Sequence, residues 1–78
     1  MASKYPAMTI KWKPVDSTNV ETVGWDRHKG MYVIFKGGTC YLYHGVSRQQ
    51  VVAAANAKSV GQYLNSKIKP NFEVTRIA

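Results

Sequence analysis

The sequence predicts an α+β fold: an antiparallel β-meander of three strands, two short helices packed on one face, and a C-terminal strand returning to the sheet. Three observations support it. Apolar residues alternate with a period of two between residues 9 and 44 apart from one break, recur at helical spacing between residues 47 and 69, and alternate again from residue 72. The length of 78 residues fits one domain with a thin core.

The N-terminal part has the weakest pattern. Residues 1–8 show no periodicity, so we expect a flexible leader before a single domain spanning residues 9–78. Residues 9–15 alternate apolar side chains with lysines and allow a short edge strand that ends at Pro14.

The three strands of the meander follow. The first, at residues 19–26, has a break in its alternation that a β-bulge near Thr22–Gly24 would explain. The second runs over Met31–Phe35 and the third over Thr39–His44. The Gly-Gly pair between them predicts a tight hairpin, because such turns need positive φ angles.

Two helices are indicated by their start signals. Ser47, with a glutamine three residues later, has the pattern of a capping box, and the first helix is expected to end near Asn56. Ser59 starts the second helix in the same way, and Pro70 stops it. The alternation at residues 72–77 then predicts the returning strand.

The composition favours a polyanionic partner. Eleven Lys and Arg against four Asp and Glu give a net charge of +7 and a pI near 9.8. Such a surplus suits nucleic acid first and an acidic protein surface second, although it also keeps a protein in solution. The single cysteine predicts a cytoplasmic protein, and the lack of a long apolar run predicts that it has no membrane partner. We expect a monomer or a homodimer.

No catalytic, metal or cofactor site is indicated. His28, His44 and Cys40 are too few and too scattered for a zinc site. Four acidic residues in total disfavour acid–base hydrolysis, and neither a phosphate loop nor a dinucleotide fingerprint occurs. We therefore expect a binding protein that is not an enzyme and that takes no cofactor.

The candidate binding residues are of two kinds. Basic side chains around the helices and at the hairpin turns would contact phosphates, the alternative being a solvated charged face. Aromatic residues on the sheet face opposite the helices would form a binding platform or a homodimer interface, unless the N-terminal segment covers them. The candidates are Arg27, Lys29, Lys36, Arg48, Lys58, Lys67, Lys69, Tyr32 and Trp12.

The central motif, Tyr-Leu-Tyr-His-Gly-Val at residues 41–46, resembles the KTSC domain. That family is named for the C-terminal extension of some lysyl-tRNA synthetases and also includes free-standing small proteins of bacteria and phages. The resemblance extends over residues 17–77. Two residues depart from the family's pattern: Trp25 stands where tyrosine is more usual, and Ser47 stands where a proline often follows the glycine-valine pair. The motif residues, which we expect in the core, are Tyr41, Tyr43, Gly45, Val46, Gly61 and Tyr63.

The resemblance implies little about activity, since the family's function is not established and an RNA-binding role has only been suggested. Tyr41 and Tyr43 share one strand face and would either stack bases or form core, with core favoured. The leading hypothesis is a non-catalytic nucleic-acid-binding module for single-stranded or structured RNA or DNA. The alternative is a small protein-interaction domain, such as a phage-type modulator or inhibitor of a larger nucleic-acid enzyme.

Overall fold

The structure, a computed structural model, describes residues 11–78, which form five strands and two helices. The strands are β1 (Lys11–Pro14), β2 (Val20–Asp26), β3 (Gly30–Phe35), β4 (Cys40–His44) and β5 (Val74–Arg76). Helix α1 spans Arg48–Ala55, and α2 spans Val60–Tyr63 and continues as a π-helical segment over Leu64–Ile68. Within residues 11–78 no helix is long and apolar enough to cross a membrane.

All five strands form one antiparallel sheet in the order β1-β2-β3-β4-β5. This corrects the expected three-strand meander, because β1 pairs with β2 as an additional edge strand. β5 is the returning strand and pairs with β4 at the other edge. The edge strands have four and three residues, too few for alternation to define them. The predicted leader at residues 1–8 lies outside the described residues.

The irregularity predicted in the first meander strand is present but lies nearer its start. The register of β2 against β3 shifts between Val20 and Thr22, whereas Gly24 pairs regularly with Tyr32. The sequence break between Val20 and Val23 requires one extra residue somewhere between them, and does not say where. The shift puts both valines in the core on the helix side of the sheet.

The hairpin between β3 and β4 is confirmed. The Gly38 N–H donates to the Phe35 carbonyl at 2.8 Å, and the Phe35 N–H donates to the Thr39 carbonyl at 2.9 Å. Gly38 has φ +95°, a conformation that side chains with a Cβ rarely adopt. Glycine at this position therefore closes the turn without strain.

Both helix starts are confirmed, but the second helix changes form. Ser47 caps α1 with a complete capping box, and Asn56 is the C-cap that follows its last residue, Ala55. Ser59 Oγ accepts a hydrogen bond from the Gln62 N–H at 3.3 Å. From Leu64 onward the helix widens, and its last N–H donates to the carbonyl five residues earlier at 2.7 Å, which is π geometry.

The core has two layers, one on each side of the sheet. The larger lies between the sheet and the helices and includes Met31, Val33 and Tyr43 from the central strands. The smaller lies on the opposite face. It consists of Tyr32, Ile34, Cys40 and Leu42, with Trp12 and Ala78 packed against it.

Candidate functional site

A groove runs between α2, with its π-helical segment, and the β4 side of the sheet. It joins two cavities of about 420 and 350 Å³, because Asn19, Gly61 and Asn65 line both. We call it the α2 groove. The larger cavity, the aromatic half, is further lined by Phe35, Tyr41, Tyr43, Leu64, Lys69 and Val74. The smaller, the polar half, is further lined by Asp16, Ser17, Thr18, Lys58, Ser59, Val60 and Gln62.

The aromatic half has rings on its floor. Tyr41 and Tyr43 are two residues apart in β4, so both side chains lie on the helix-facing side of the sheet. Tyr43 is only 6% exposed, and burial raises the pKa of its phenol, with Tyr41 as a smaller cause. Tyr41 is half-buried, and its ring meets that of Phe35 edge to face at 5.7 Å. The pair is thus divided, with Tyr43 in the core and Tyr41 partly open to the groove.

Gly61 lies where the two halves of the groove meet, and it places no side chain on the helix surface there. Apart from the helix's own backbone, a Cβ added at this position would meet no atom of residues 11–78 within 4 Å. It would therefore point into open space beside the cavities that Gly61 lines. The helix backbone is accessible here because no side chain covers it.

The π-helical segment sets which side chains reach the groove. Gly61, Asn65 and Lys69, at intervals of four residues, line it, whereas Ile68 is buried in the core. In an α-helix, steps of four residues drift around the axis by about 40°, because one turn takes 3.6 residues. The wider turn after Leu64 reduces this drift and keeps the three residues in one row.

The polar half presents amide, hydroxyl and charged groups. Ser17 Oγ accepts hydrogen bonds from the N–H groups of Asn19 and Val20 at 3.3 and 3.2 Å, which fixes the loop before β2. Within residues 11–78, the amide side chains of Asn19, Gln62 and Asn65 have no hydrogen-bond partner in the protein. They are exposed and face the cavities, so they are available to a ligand.

Only part of the predicted basic set gathers at this groove. Lys58 lines the polar half and Lys69 the aromatic half. Lys36 lies nearby, because its N–H donates to the Asn19 carbonyl at 2.8 Å.

The other predicted cations lie elsewhere. Arg27 and Lys29 occupy the turn between β2 and β3, at the opposite end of the sheet from Lys36. Arg48 lines a separate cavity of about 160 Å³ beside β1, and Lys67 is exposed but does not line the groove. Lys36, Lys58 and Lys69 thus lie at or near the groove, whereas the other predicted basic residues are dispersed over the rest of the surface.

The sheet face opposite the helices is not an open platform. Tyr32 is 1% exposed, and its ring lies 5.9 Å from that of Trp12. In the sheet register Gly24 lies between these two rings, and having no side chain it leaves room for their contact. Burial raises the pKa of the Tyr32 phenol, and Asp26 and Cys40 add to the rise. The prediction that Tyr32 is an exposed binding residue is therefore wrong: Tyr32 belongs to the core, and Trp12 covers it.

The other motif residues have different surroundings. Val46 is buried in the core as expected, and Tyr63 is half-buried against it. Gly45 is exposed, with φ +81° where the chain turns from β4 toward α1. Like Gly61, it is thus placed outside the core, contrary to expectation.

Residues near the groove also include some that sequence reasoning missed. Arg76 is the cross-strand partner of Tyr41 and leaves β5 on the same sheet face, next to the groove lining, with its Nε–H donating to the Ala78 carbonyl at 3.4 Å. The alternation of β5 contained this signal, but using it requires the register against β4. Asn19 and Asn65 carried no signal, because isolated amides are common on surfaces.

Comparison with known proteins agrees with this architecture. The KTSC domain family matches residues 16–72. A protein of Tsukamurella paurometabola is 30% identical over 66 residues, which cover 83% of this chain and 98% of that protein. The crystal structure of a KTSC domain protein from Yersinia pestis superposes with a TM-score of 0.77 at 25% identity, covering 88% of this chain and 99% of the other. The chain therefore belongs to the KTSC domain family.

Proposed function

We propose that this domain is a non-catalytic nucleic-acid-binding module and that a single-stranded segment lies in the α2 groove. One observation carries the proposal: the groove combines a partly open ring, Tyr41, with a lysine in each half, Lys58 and Lys69. Rings and lysines interleaved along one groove are the combination that proteins use for unpaired strands.

The energetics favour an unpaired strand over a duplex. A base stacked on an aromatic side chain contributes about 1–3 kcal/mol, and it must leave its own stack to reach such a ring. Bases inside a duplex present only their edges in the grooves, so their faces cannot reach Tyr41. Loops and single strands, whose bases can turn outward, fit better.

The charge distribution supports the same proposal. The net charge of +7 attracts a polyanion, and Lys36 and Arg76 extend the basic surface beyond the groove lining. The cytoplasmic location expected from the sequence would bring such a module close to RNA, and the KTSC family is named for an extension of an enzyme that binds tRNA.

The test uses Gly61, because a side chain there fills the groove without displacing protein atoms. Gly61→Val should weaken binding of a labelled single-stranded 12-mer at least about tenfold in fluorescence anisotropy, equivalent to about 1.4 kcal/mol. It should not destabilise the fold, because valine has a better helix propensity than glycine. Ala53→Val, on the exposed surface of α1 and outside the groove lining, is the matched control and should bind like the wild type.

If Gly61→Val and the wild type bind the strand with equal affinity, the binding surface does not lie in the α2 groove. If single-stranded, duplex and hairpin probes all fail to bind at low salt, the proposed function is wrong. In that case a protein partner that survives nuclease treatment in a pull-down would support the protein-interaction alternative.

A further inference from the structure

We infer that the polar half of the α2 groove binds the ribose of one nucleotide and thereby selects RNA over DNA. This inference rests on the proposed function and names the substrate class of the same site.

The lining of the polar half suits a sugar better than a base, and Lys58, which also lines it, would contact the phosphate attached to that sugar. The lining contains a carboxylate, Asp16, which repels a phosphate but accepts a hydrogen bond from a hydroxyl group. The free amides of Asn19, Gln62 and Asn65 each donate and accept, as a hydroxyl does. Among residues 11–78 no aromatic ring lines this half, so these residues offer a base nothing to stack on.

The way the halves connect matches the covalent order of a nucleotide. A base and its sugar are joined by one bond, so a base beside Tyr41 places its sugar one short step away. The two cavities meet at Gly61, where no side chain obstructs that step. A base in the aromatic half therefore brings its sugar to the side of the polar half.

The 2′-hydroxyl is the group that distinguishes the two nucleic acids at such a position. RNA offers it as both donor and acceptor, whereas DNA leaves the site's polar groups without that partner. A site built to hydrogen-bond a hydroxyl discriminates against the analogue that lacks it, because its polar groups then lose a partner. The expected preference is about tenfold, as for one hydrogen bond to a charged group.

The experiment measures anisotropy with labelled RNA, DNA and 2′-O-methyl RNA 12-mers of one sequence, using the full chain. Wild-type protein should bind RNA about tenfold more tightly than DNA, with the methylated strand close to DNA. Asp16→Ala should lower the RNA-to-DNA ratio toward one. Its DNA affinity should stay equal or rise, because a negative charge has been removed.

Glu21→Ala is the matched control. It removes the same charge from an exposed position of β2 outside the groove lining, so it should change both affinities alike and keep their ratio. Equal wild-type affinities for RNA and DNA would overturn the inference and leave the proposed function intact. A preference for RNA that survives Asp16→Ala would overturn the assignment to the polar half. Failure of every probe to bind would contradict the proposed function itself.

Discussion

Gly30 stands at the start of β3, where the chain passes close to the connection between β4 and α1. Its φ is +133°, and an added Cβ would lie 2.8 Å from the Gly45 nitrogen and also against the Tyr43 carbonyl oxygen. These neighbours are backbone atoms, which cannot turn aside as the end of a flexible side chain can. Gly30→Ala should therefore lower the free energy of unfolding by at least about 2 kcal/mol, measured by urea denaturation.

Gly37 provides the control for that substitution. A Cβ there would meet nothing within 4 Å in the part of the chain that the structure describes, so Gly37→Ala should change the unfolding free energy little or raise it slightly. An unchanged urea midpoint for Gly30→Ala would show that the backbone at Gly30 has room to move.

Two buried phenols give the fold a dependence on alkaline pH. Burial is the main cause that raises the pKa of both Tyr32 and Tyr43 above the ordinary value of 10.0. Their protonated forms therefore stabilise the folded state. This contribution is complete below pH 10 and is lost as the pH rises through the folded-state values, because the unfolded chain releases its protons first.

Urea denaturation between pH 8 and pH 11 measures this effect. The unfolding free energy of the wild type should fall above about pH 10. That of Tyr32→Phe should fall less steeply, because this variant lacks one of the two phenols whose pKa is raised. A stability that stays level to pH 11 would mean that neither phenol is held in its neutral form.

At the scale of elements, the sequence predicts helix caps and tight turns correctly but does not define the number of strands in the sheet. Ser47 and Ser59 cap helices where the sequence indicates, because a hydroxyl cap depends only on the next three residues. The turn at Gly38 is equally local. Strand number depends on the edge strands: β1 has four residues, too few for alternation to define it, and β5 gains its hydrogen bonds from β4 on the far side of both helices in sequence.

The π-helical segment shows the same limit for the site. Leu64–Ile68 has the apolar spacing of an ordinary helix, and nothing in that spacing indicates the extra residue in its turn. The extra residue helps to place Asn65 and Lys69 beside Tyr41 in the α2 groove. The sequence therefore identified some of the lysines but not the amides or the shared cavity.

At the scale of the whole molecule, binding in the α2 groove is distinguishable from attraction by the general positive charge. Lys69 lines the groove, whereas Lys29 lies in the turn at the far end of the sheet, and both are exposed. Lys69→Ala and Lys29→Ala each remove one positive charge, so long-range attraction falls equally in both. Only a lysine in direct contact with a phosphate changes the number of counterions released on binding.

The salt dependence of single-strand binding by these two variants tests the groove most directly. Each lysine–phosphate contact contributes about 0.7 to the slope of log affinity against log salt concentration for a single strand. With the strand in the α2 groove, Lys69→Ala should lower the slope by about this amount, while Lys29→Ala should keep the wild-type slope. Equal slopes for the two variants, or a larger loss for Lys29→Ala, would contradict the placement of the strand in the α2 groove.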